Sequence, residues 1–223
     1  RPAASAYRVG GMSRRPGEGG KAEWVRADLV TNVGLEAAMA GVDVVIHAAS
    51  APRRDTRRTD VGGTARLMEA ARRAGVRHVV YVSIVGVDRI PFAYYRHKLA
   101  AEDVVRTGQV PWTIVRGTQF HDFMDYLCHR ATRYPVAMFP TDFLGQPIHV
   151  DEFADVLWTQ VATGPVQRAP DVAGPEVLTY GEMLRIWMDA RRLRKPLFQL
   201  PLPGKTAAAF RAGRPTAPER ACM

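Results

Sequence analysis

The sequence predicts an α/β protein: a doubly wound parallel sheet with helices on both faces and a smaller lobe at the C-terminal end. Three observations predict it. The strand-length runs Val44-Val45-Ile46 and Val79-Val80-Tyr81-Val82 are continuously apolar rather than alternating, the pattern of strands buried on both faces. Helix-length stretches lie between such runs with apolar residues on one side, Leu67, Ala70 and Ala71 among them. Strands separated by helices of this length need right-handed crossovers between parallel neighbours. Finally, 223 residues suffice for one well-buried core and an appendage, and are too few for two full domains.

Taken in order, residues 7–12 read as a short strand and residues 13–17 as a turn. Residues 22–27, centred on Trp24 and Val25, form a strand closing on Asp28 and Leu29, and Thr31 or Asn32 then caps a short helix carrying Leu35 and Met39. Gly41 is placed to end that helix. Residues 42–47 are a strand buried on both faces, and after a basic loop a helix runs over 60–74 with Gly75 as its left-handed exit. A strand over 78–83, a helix over 93–107, a strand over 112–115 and a helix over 120–133 follow. The helix over 151–163 turns Phe153, Val156, Leu157 and Val161 inward. Beyond Gly164 the Pro and Gly content rises, with a strand near Val172, a helix over 180–191 and a strand over 197–200. The expected organisation is a sheet domain over 1–163 with a small lobe, 164–223, packed on it; no internal repeat is present.

Composition narrows the classes. Hydrophobic content of 47% and charged content of 24% are ordinary for a globular chain, so disorder is not expected. No apolar run approaches the roughly eighteen residues of a membrane span, and Arg1-Pro2 opens no signal-peptide core. Cys128 and Cys222 lie far apart, which argues against a disulfide framework and fits a reducing cytoplasm. His47, His97, His121 and His149 fall into no ligand spacing, so no metal is expected. The net charge of +9 is scattered arginine without interleaved aromatics, and no nucleic-acid partner is expected from it. Oligomeric state is not legible.

In open α/β sheets, ligands sit beyond the carboxyl ends of the strands. Arg14 and Arg15, Asp28, the small run Ala48-Ala49-Ser50, and Ser83 fall at four such ends. Eleven residues past Ser83, Tyr94 and Lys98 stand four apart on a helix, which places a phenol and an ammonium on one face. A phenol beside a fixed cation is a proton donor.

The runs Asp43-Val44-Val45-Ile46-His47-Ala48-Ala49, Asp60-Val61-Gly62-Gly63-Thr64, Val79-Val80-Tyr81-Val82-Ser83, Tyr94xxxLys98 and Pro111-Trp112-Thr113-Ile114-Val115-Arg116-Gly117-Thr118-Gln119-Phe120 together resemble an atypical short-chain dehydrogenase/reductase. Within that superfamily they are most similar to the NmrA-like NAD(P)-binding proteins, over about residues 13–181. The resemblance implies a Rossmann-like sheet and a nicotinamide dinucleotide, NADP(H) in preference to NAD(H). It places Arg14, flanked by Ser13 and Arg15, at the adenosine 2′-phosphate, where a guanidinium matches phosphate in charge and fork geometry. It places Asp28 and Leu29 beside the adenine, and Ala48, Ala49 and Ser50 along the ribose and pyrophosphate. Gly117, Thr118 and Phe120 would meet the nicotinamide carboxamide. Lys98 would hold the nicotinamide ribose and lower the phenol pKa, Tyr94 would protonate a substrate oxygen as hydride arrives, and Ser83 would orient that oxygen.

Plainer roles remain for several of these residues: Arg14-Arg15 as a solubilising turn, Asp28 as a cap, Tyr94 as an amphipathic helix residue and Phe120 as core. One departure is large. Such proteins open with a strand and a TGxxGxxG turn that receives the pyrophosphate, whereas Gly10-Gly11, Gly17 and Gly19-Gly20 have another spacing and no apolar strand before them. The expectation is therefore an N-terminally truncated fold, a fragment of a longer reading frame rather than a protein that has shed its central strand. The expected activity is NADPH-dependent reduction of a small carbonyl, quinone or similar electrophile. An NmrA-like NADP sensor without turnover, a nucleotide-sugar epimerase and a nucleic-acid module are the alternatives.

Overall fold

The computed structural model describes residues 7–15, 22–52 and 55–217. Arg1, Gly17, Gly19-Gly20, the loop arginines 53–54 and Cys222 lie outside the described residues. In chain order the elements are β1 (Gly10–Ser13), β2 (Glu23–Arg26), α1 (Leu35–Met39), β3 (Val44–His47), a π-helical turn (Arg57–Gly63), α2 (Thr64–Arg73), β4 (His78–Ile84), α3 (Ala93–Thr107), β5 (Trp112–Gly117) and α4 (His121–Ala131). The chain continues through β6 (Ala137–Phe139), β7 (Leu144–Gly145), α5 (Val150–Thr163), β8 (Gln167–Arg168), β9 (Leu178–Thr179), α6 (Tyr180–Ala190), β10 (Leu197–Gln199) and α7 (Lys205–Arg211). These fall into two compact units, Arg1–Ser83 with Arg96–Val115 and Asp155–Ala169, and Ile84–Tyr95 with Arg116–Ala154 and Pro170–Met223.

The first unit carries the sheet. Its strands run in the order β3-β4-β5-β8, with β3 parallel to β4 and β5 parallel to β8, while β1 and β2 form a separate parallel pair in register from Gly10 and Glu23. Val79 and Val80 are wholly buried, as a continuous β-branched run in a covered sheet should be. Leu35, Met39, Leu67, Ala71, Val105 and Ile114 close one core over it, drawing one buried face from each surrounding helix. The exit of α2 follows its sequence signal. Gly75 sits at φ +72°, Val76 N–H donates to Ala71 O and Gly75 N–H to Arg72 O, so the last carbonyls are satisfied by the residues that reverse the chain.

The second unit is held by aromatic and thioether packing. Met124, Phe139, Phe143, Tyr180, Met183 and Leu184 form its core, with Tyr180 stacked on Phe139 and Phe143 on Phe210. Thr179 begins α6 with a reciprocal capping box to Glu182. Fully buried Gln146 staples this unit, donating to Gly174 O at 2.6 Å and accepting from Ala217 N at 2.8 Å.

The structure corrects the sequence reading in several places. The cap of α1 is Gly34, not Thr31 or Asn32. Asp28 ties residues 28–33 into their own turn, accepting from Val30 N at 2.7 Å and, through its carbonyl, from Asn32 N at 2.9 Å, so the helix starts only beyond that turn. β3 is not buried on both faces: as the terminal strand of its sheet it leaves Val44 and Val45 half-buried and Ile46 38% exposed. The helix expected over 60–74 opens as a π-helical turn reaching back to Arg57. In the C-terminal region the strand expected near Val172 is an isolated bridge to Gly117, and β6, β7, β9 and α7 were not anticipated.

Candidate functional site

Within the first unit the carboxyl end of β4 and the face of α3 enclose one ammonium. Lys98 is buried, donates to Val82 O at 2.8 Å, and lies 4.3 Å from the centre of the Tyr81 ring and 4.0 Å from Asp60 Oδ1. Burial pushes its pKa down to about 8, against Asp60 and Glu102, whose carboxylates favour the charged form. His47, at the end of β3, is driven to about 3 by burial and by the Lys98 charge, so it stands there as a neutral ring bonded to Thr64 Oγ1 at 2.9 Å. The expected packing role of His47 thus has a polar edge. Tyr94 lies one turn before Lys98 on α3, half-buried, with its ring edge-on to Phe92 and Tyr95. Tyr95 is buried and its pKa raised by desolvation, which disqualifies it as a ready proton donor.

Ser83 is placed at the strand end, but its hydroxyl donates inward to Glu102 Oε1 at 2.5 Å, and the wholly buried Glu102 also accepts from Arg106 at 2.6 Å. The hydroxyl expected to orient a substrate oxygen thus has its one proton engaged by α3 in this arrangement. Sequence reasoning missed Glu102 and Asp60. Glu102 was readable in principle, since it sits one helical turn beyond Lys98 on a face that must be interior.

The other first-unit candidates divide. Ala48, Ala49 and Ser50 are exposed after β3 and form a shelf of small side chains over which backbone can be approached. Arg14 and Arg15 are exposed at the end of β1, and among the described residues no carboxylate pairs with either. Ser13 accepts from Arg15 N at 3.3 Å, which shapes that turn. Asp28 closes its own turn and does not enter a helix, since α1 begins only after Gly34, and Leu29 belongs to the core, where it packs where a Cβ on Gly63 would stand.

In the second unit, Gly117 has no space left for a ligand at its Cα. A Cβ there would stand 2.6 Å from the Phe153 ring, so the missing side chain accommodates α5. The Thr118 hydroxyl donates to Gln146 O at 2.5 Å and is buried. Phe120 packs edge-on against Phe153 and is half-buried. A cleft of about 290 Å³ opens nearby between α4 and α6, lined by His121, Met124, Cys128, Met183, Ile186 and Trp187. Burial pushes the Cys128 thiol up to about 11, so it is an apolar wall rather than a nucleophile.

A buried ammonium, an open shelf of small residues after a neighbouring strand, and exposed guanidinium groups at the end of β1 fit the ribose and phosphates of a dinucleotide in chemistry. Fold and site together define a dinucleotide-binding α/β protein of Rossmann-like form. The chain belongs to the NAD(P)H-binding family, whose sequence model matches residues 6–163, and its cofactor class is therefore a nicotinamide dinucleotide. Solved structures with the same fold include MoeE5 in complex with UDP-glucose and NAD, at 21% identity over 86% of this chain and 77% of that one, TM-score 0.72. The Citrobacter sp. triphenylmethane reductase complexed with NADP(H) matches at 19% identity over 91% and 78%, TM-score 0.69. A short-chain dehydrogenase/reductase superfamily protein from Agrobacterium tumefaciens with bound NAD matches at 19% over 91% and 80%, TM-score 0.69. Among curated proteins none matches the chain. No described helix is long and apolar enough to cross a membrane.

Proposed function

We propose that the chain is an NADPH-linked reductase of a small carbonyl, quinone or similar electrophile, of the NmrA-like kind, working in the cytoplasm. The observation that carries the reading is the buried Lys98 ammonium one turn beyond Tyr94 on α3. A bound dinucleotide would supply the hydride. Lys98 would hold the ribose hydroxyls, and Tyr94 would give its phenolic proton to the substrate oxygen as the carbon receives hydride, leaving an alcohol and a phenolate that solvent reprotonates. Arg14 and Arg15, exposed and without a described carboxylate partner, favour a 2′-phosphate and hence NADP(H) over NAD(H). Residues 164–223, with α6 facing the cleft, would supply the substrate lobe. The Citrobacter reductase supports a reductive reading, while MoeE5, in complex with UDP-glucose and NAD, keeps sugar nucleotides in view as ligands of the same fold.

One observation favours a second reading, an NADP sensor without turnover: the Ser83 hydroxyl is bonded to Glu102 and is not poised to orient a substrate. The two separate on Tyr94→Phe. A reductase loses NADPH oxidation across a carbonyl and quinone panel and keeps its dinucleotide affinity. Absence of NADPH oxidation by the unaltered chain with every acceptor would sink the reductase reading. Retention on DNA that weakens with salt would show instead that the positive charge serves a nucleic-acid partner.

A further inference from the structure

We infer that the outer face of the β6–β10 ribbon in the second unit is a peripheral membrane-docking surface, apolar in the middle and cationic at its rim, that takes a bilayer containing anionic lipid. The inference stands apart from the reductase reading. β6 and β10 pair in parallel with Met138 opposite Phe198, and Lys195 extends the pairing backwards, its Nζ donating to Thr132 O at 2.7 Å and to Tyr134 O at 2.9 Å. Side chains alternate across this ribbon. Ala137 and Phe139 are buried in the core, whereas Tyr134, Val136 and Met138 are 64%, 42% and 51% exposed and Phe198 is 54% exposed. Two aromatic and two aliphatic side chains thus face solvent from neighbouring positions, an arrangement that water disfavours and a lipid interface accepts.

Positive charge is focused at the same place. Residues 130–136 and 191–199 are far apart in sequence, but the ribbon joins them, and together they hold Arg130, Arg133, Arg191, Arg192, Arg194 and Lys195 with no Asp or Glu. Arg191 is engaged by Asp125 at 2.6 Å. Arg133 lies over the Tyr134 ring, Arg192 and Arg194 are exposed on the segment that feeds β10, and among the described residues none of these three meets a carboxylate. Of the flanking acids, Asp189 sits in the last turn of α6, and Asp142 is held by Arg211 and Gln199.

Charge and apolar surface together select the occupant. A second copy would bring the same cations against one another. A nucleic acid would take the arginines and Tyr134 but offer nothing to the Val136 and Met138 side chains. A bilayer with anionic headgroups takes both: guanidinium groups meet phosphate at the level where a tyrosine ring settles, and the aliphatic side chains enter the acyl boundary. Such attachment is reversible and needs no spanning helix. On the reductase reading it would bring the chain to acceptors, quinones among them, that dissolve in lipid.

The test is sedimentation of the full chain with vesicles of phosphatidylglycerol and phosphatidylcholine in equal parts. The unaltered protein should pellet with them, stay in solution with phosphatidylcholine alone, and weaken without full release as salt rises. Arg192→Glu/Arg194→Glu should lower partitioning by about tenfold or more, and Arg26→Glu/Arg96→Glu, the same charge change at exposed positions in the first unit, by much less. Phe198→Ser should remove the binding that survives salt. Vesicle binding that is absent, that falls equally in both arginine pairs, or that Phe198→Ser leaves intact overturns the inference. Tighter retention on a single-stranded oligonucleotide than on the vesicles, lost in Arg192→Glu/Arg194→Glu, would assign the surface to nucleic acid and overturn it as well. Should a variant fail to fold, hydrogen exchange on the unaltered protein decides: the vesicles must protect residues 134–138 and 194–198, and protection confined to other segments overturns the inference equally.

Discussion

The two units bury polar groups in different mixtures. The first encloses mainly ions and imidazoles, Lys98, Asp60, Glu102, His47 and His78, with the Tyr81 phenol among them, in and around a β-branched sheet. The second encloses mainly phenols, a thiol and an amide, Tyr95, Tyr180, Cys128 and Gln146, about an aromatic core, together with the Arg116 guanidinium paired with Asp88 at 2.9 Å. Buried charge is costly and survives where function or a partner retains it, whereas a neutral phenol is comfortable inside. The difference locates the chemistry. Lys98 and His47, both lowered by burial, meet at the carboxyl ends of β3 and β4, while in the second unit the Thr118 hydroxyl is bonded to Gln146 O and the Phe120 ring packs edge-on against Phe153.

That contrast can be broken or sharpened by measurement. The largest effect is expected at the chemistry: Tyr94→Phe should lower kcat for NADPH oxidation by about 10²- to 10⁴-fold, the usual worth of a positioned general acid, with dinucleotide affinity measured by fluorescence unchanged. Equal losses in affinity and kcat would show that the phenol binds rather than protonates. Next come the cores. Ile114→Ala in the first unit and Leu184→Ala in the second, both wholly buried, should each cost about 2–5 kcal/mol in urea unfolding. A much smaller loss at Leu184 would mean that the aromatic core relaxes where the sheet cannot.

The units should also fail at opposite ends of the pH scale. His47 has its folded pKa pushed from 6.5 to about 3 and His78 is lowered by burial, so the unfolded chain binds the extra protons. Their stabilisation is complete above pH 6.5 and is lost as pH falls toward 3, with about 2 kcal/mol gone by pH 5 from His47 alone. Tyr95, Tyr180 and Cys128 are raised instead, so their stabilisation holds below the ordinary phenol and thiol values and is lost as pH climbs through them. Lys98, lowered to about 8, runs the other way and favours the first unit in mild alkali. Hydrogen exchange resolved by residue should show Val79 opening first in acid and Leu184 first in alkali; parallel losses in both would erase the distinction. The smallest effect is at the surface: Arg14→Ala should leave stability within about 0.5 kcal/mol while shifting the NADPH-to-NADH affinity ratio by about tenfold or more toward NADH. An unmoved ratio would return Arg14 to the role of a solubilising turn.

Legibility followed the same division. β4 and α3 were readable almost to the residue, because a continuous apolar run followed by a long amphipathic helix leaves little alternative, and α3 carries both Lys98 and Tyr94. The edge position of β3 was hidden, since Val44-Val45-Ile46 has the same letters whether one neighbour flanks it or two. The π-helical turn was hidden because nothing in Arg57–Gly63 distinguishes five-residue from four-residue bonding, and with it went the orientation of Asp60. In the second unit, β7 and β9 are two residues long and cannot show a period, and α7 is an alanine-rich turn after a Pro-Gly step that reads as loop. Ser83 was rightly placed at a strand end, but sequence does not say that a glutamate nineteen residues later accepts its hydrogen bond.

The edge strand has a consequence for how the protein behaves in concentrated solution. Among the described residues no strand pairs with the outer side of β3, and Ile46 is 38% exposed there, which is the geometry onto which a strand of another molecule can be added. The +9 of the chain repels at long range and fades with salt, so added salt should promote self-association, and Ile46→Lys, by placing a charge where a foreign strand would dock, should suppress it without touching Lys98 or Tyr94.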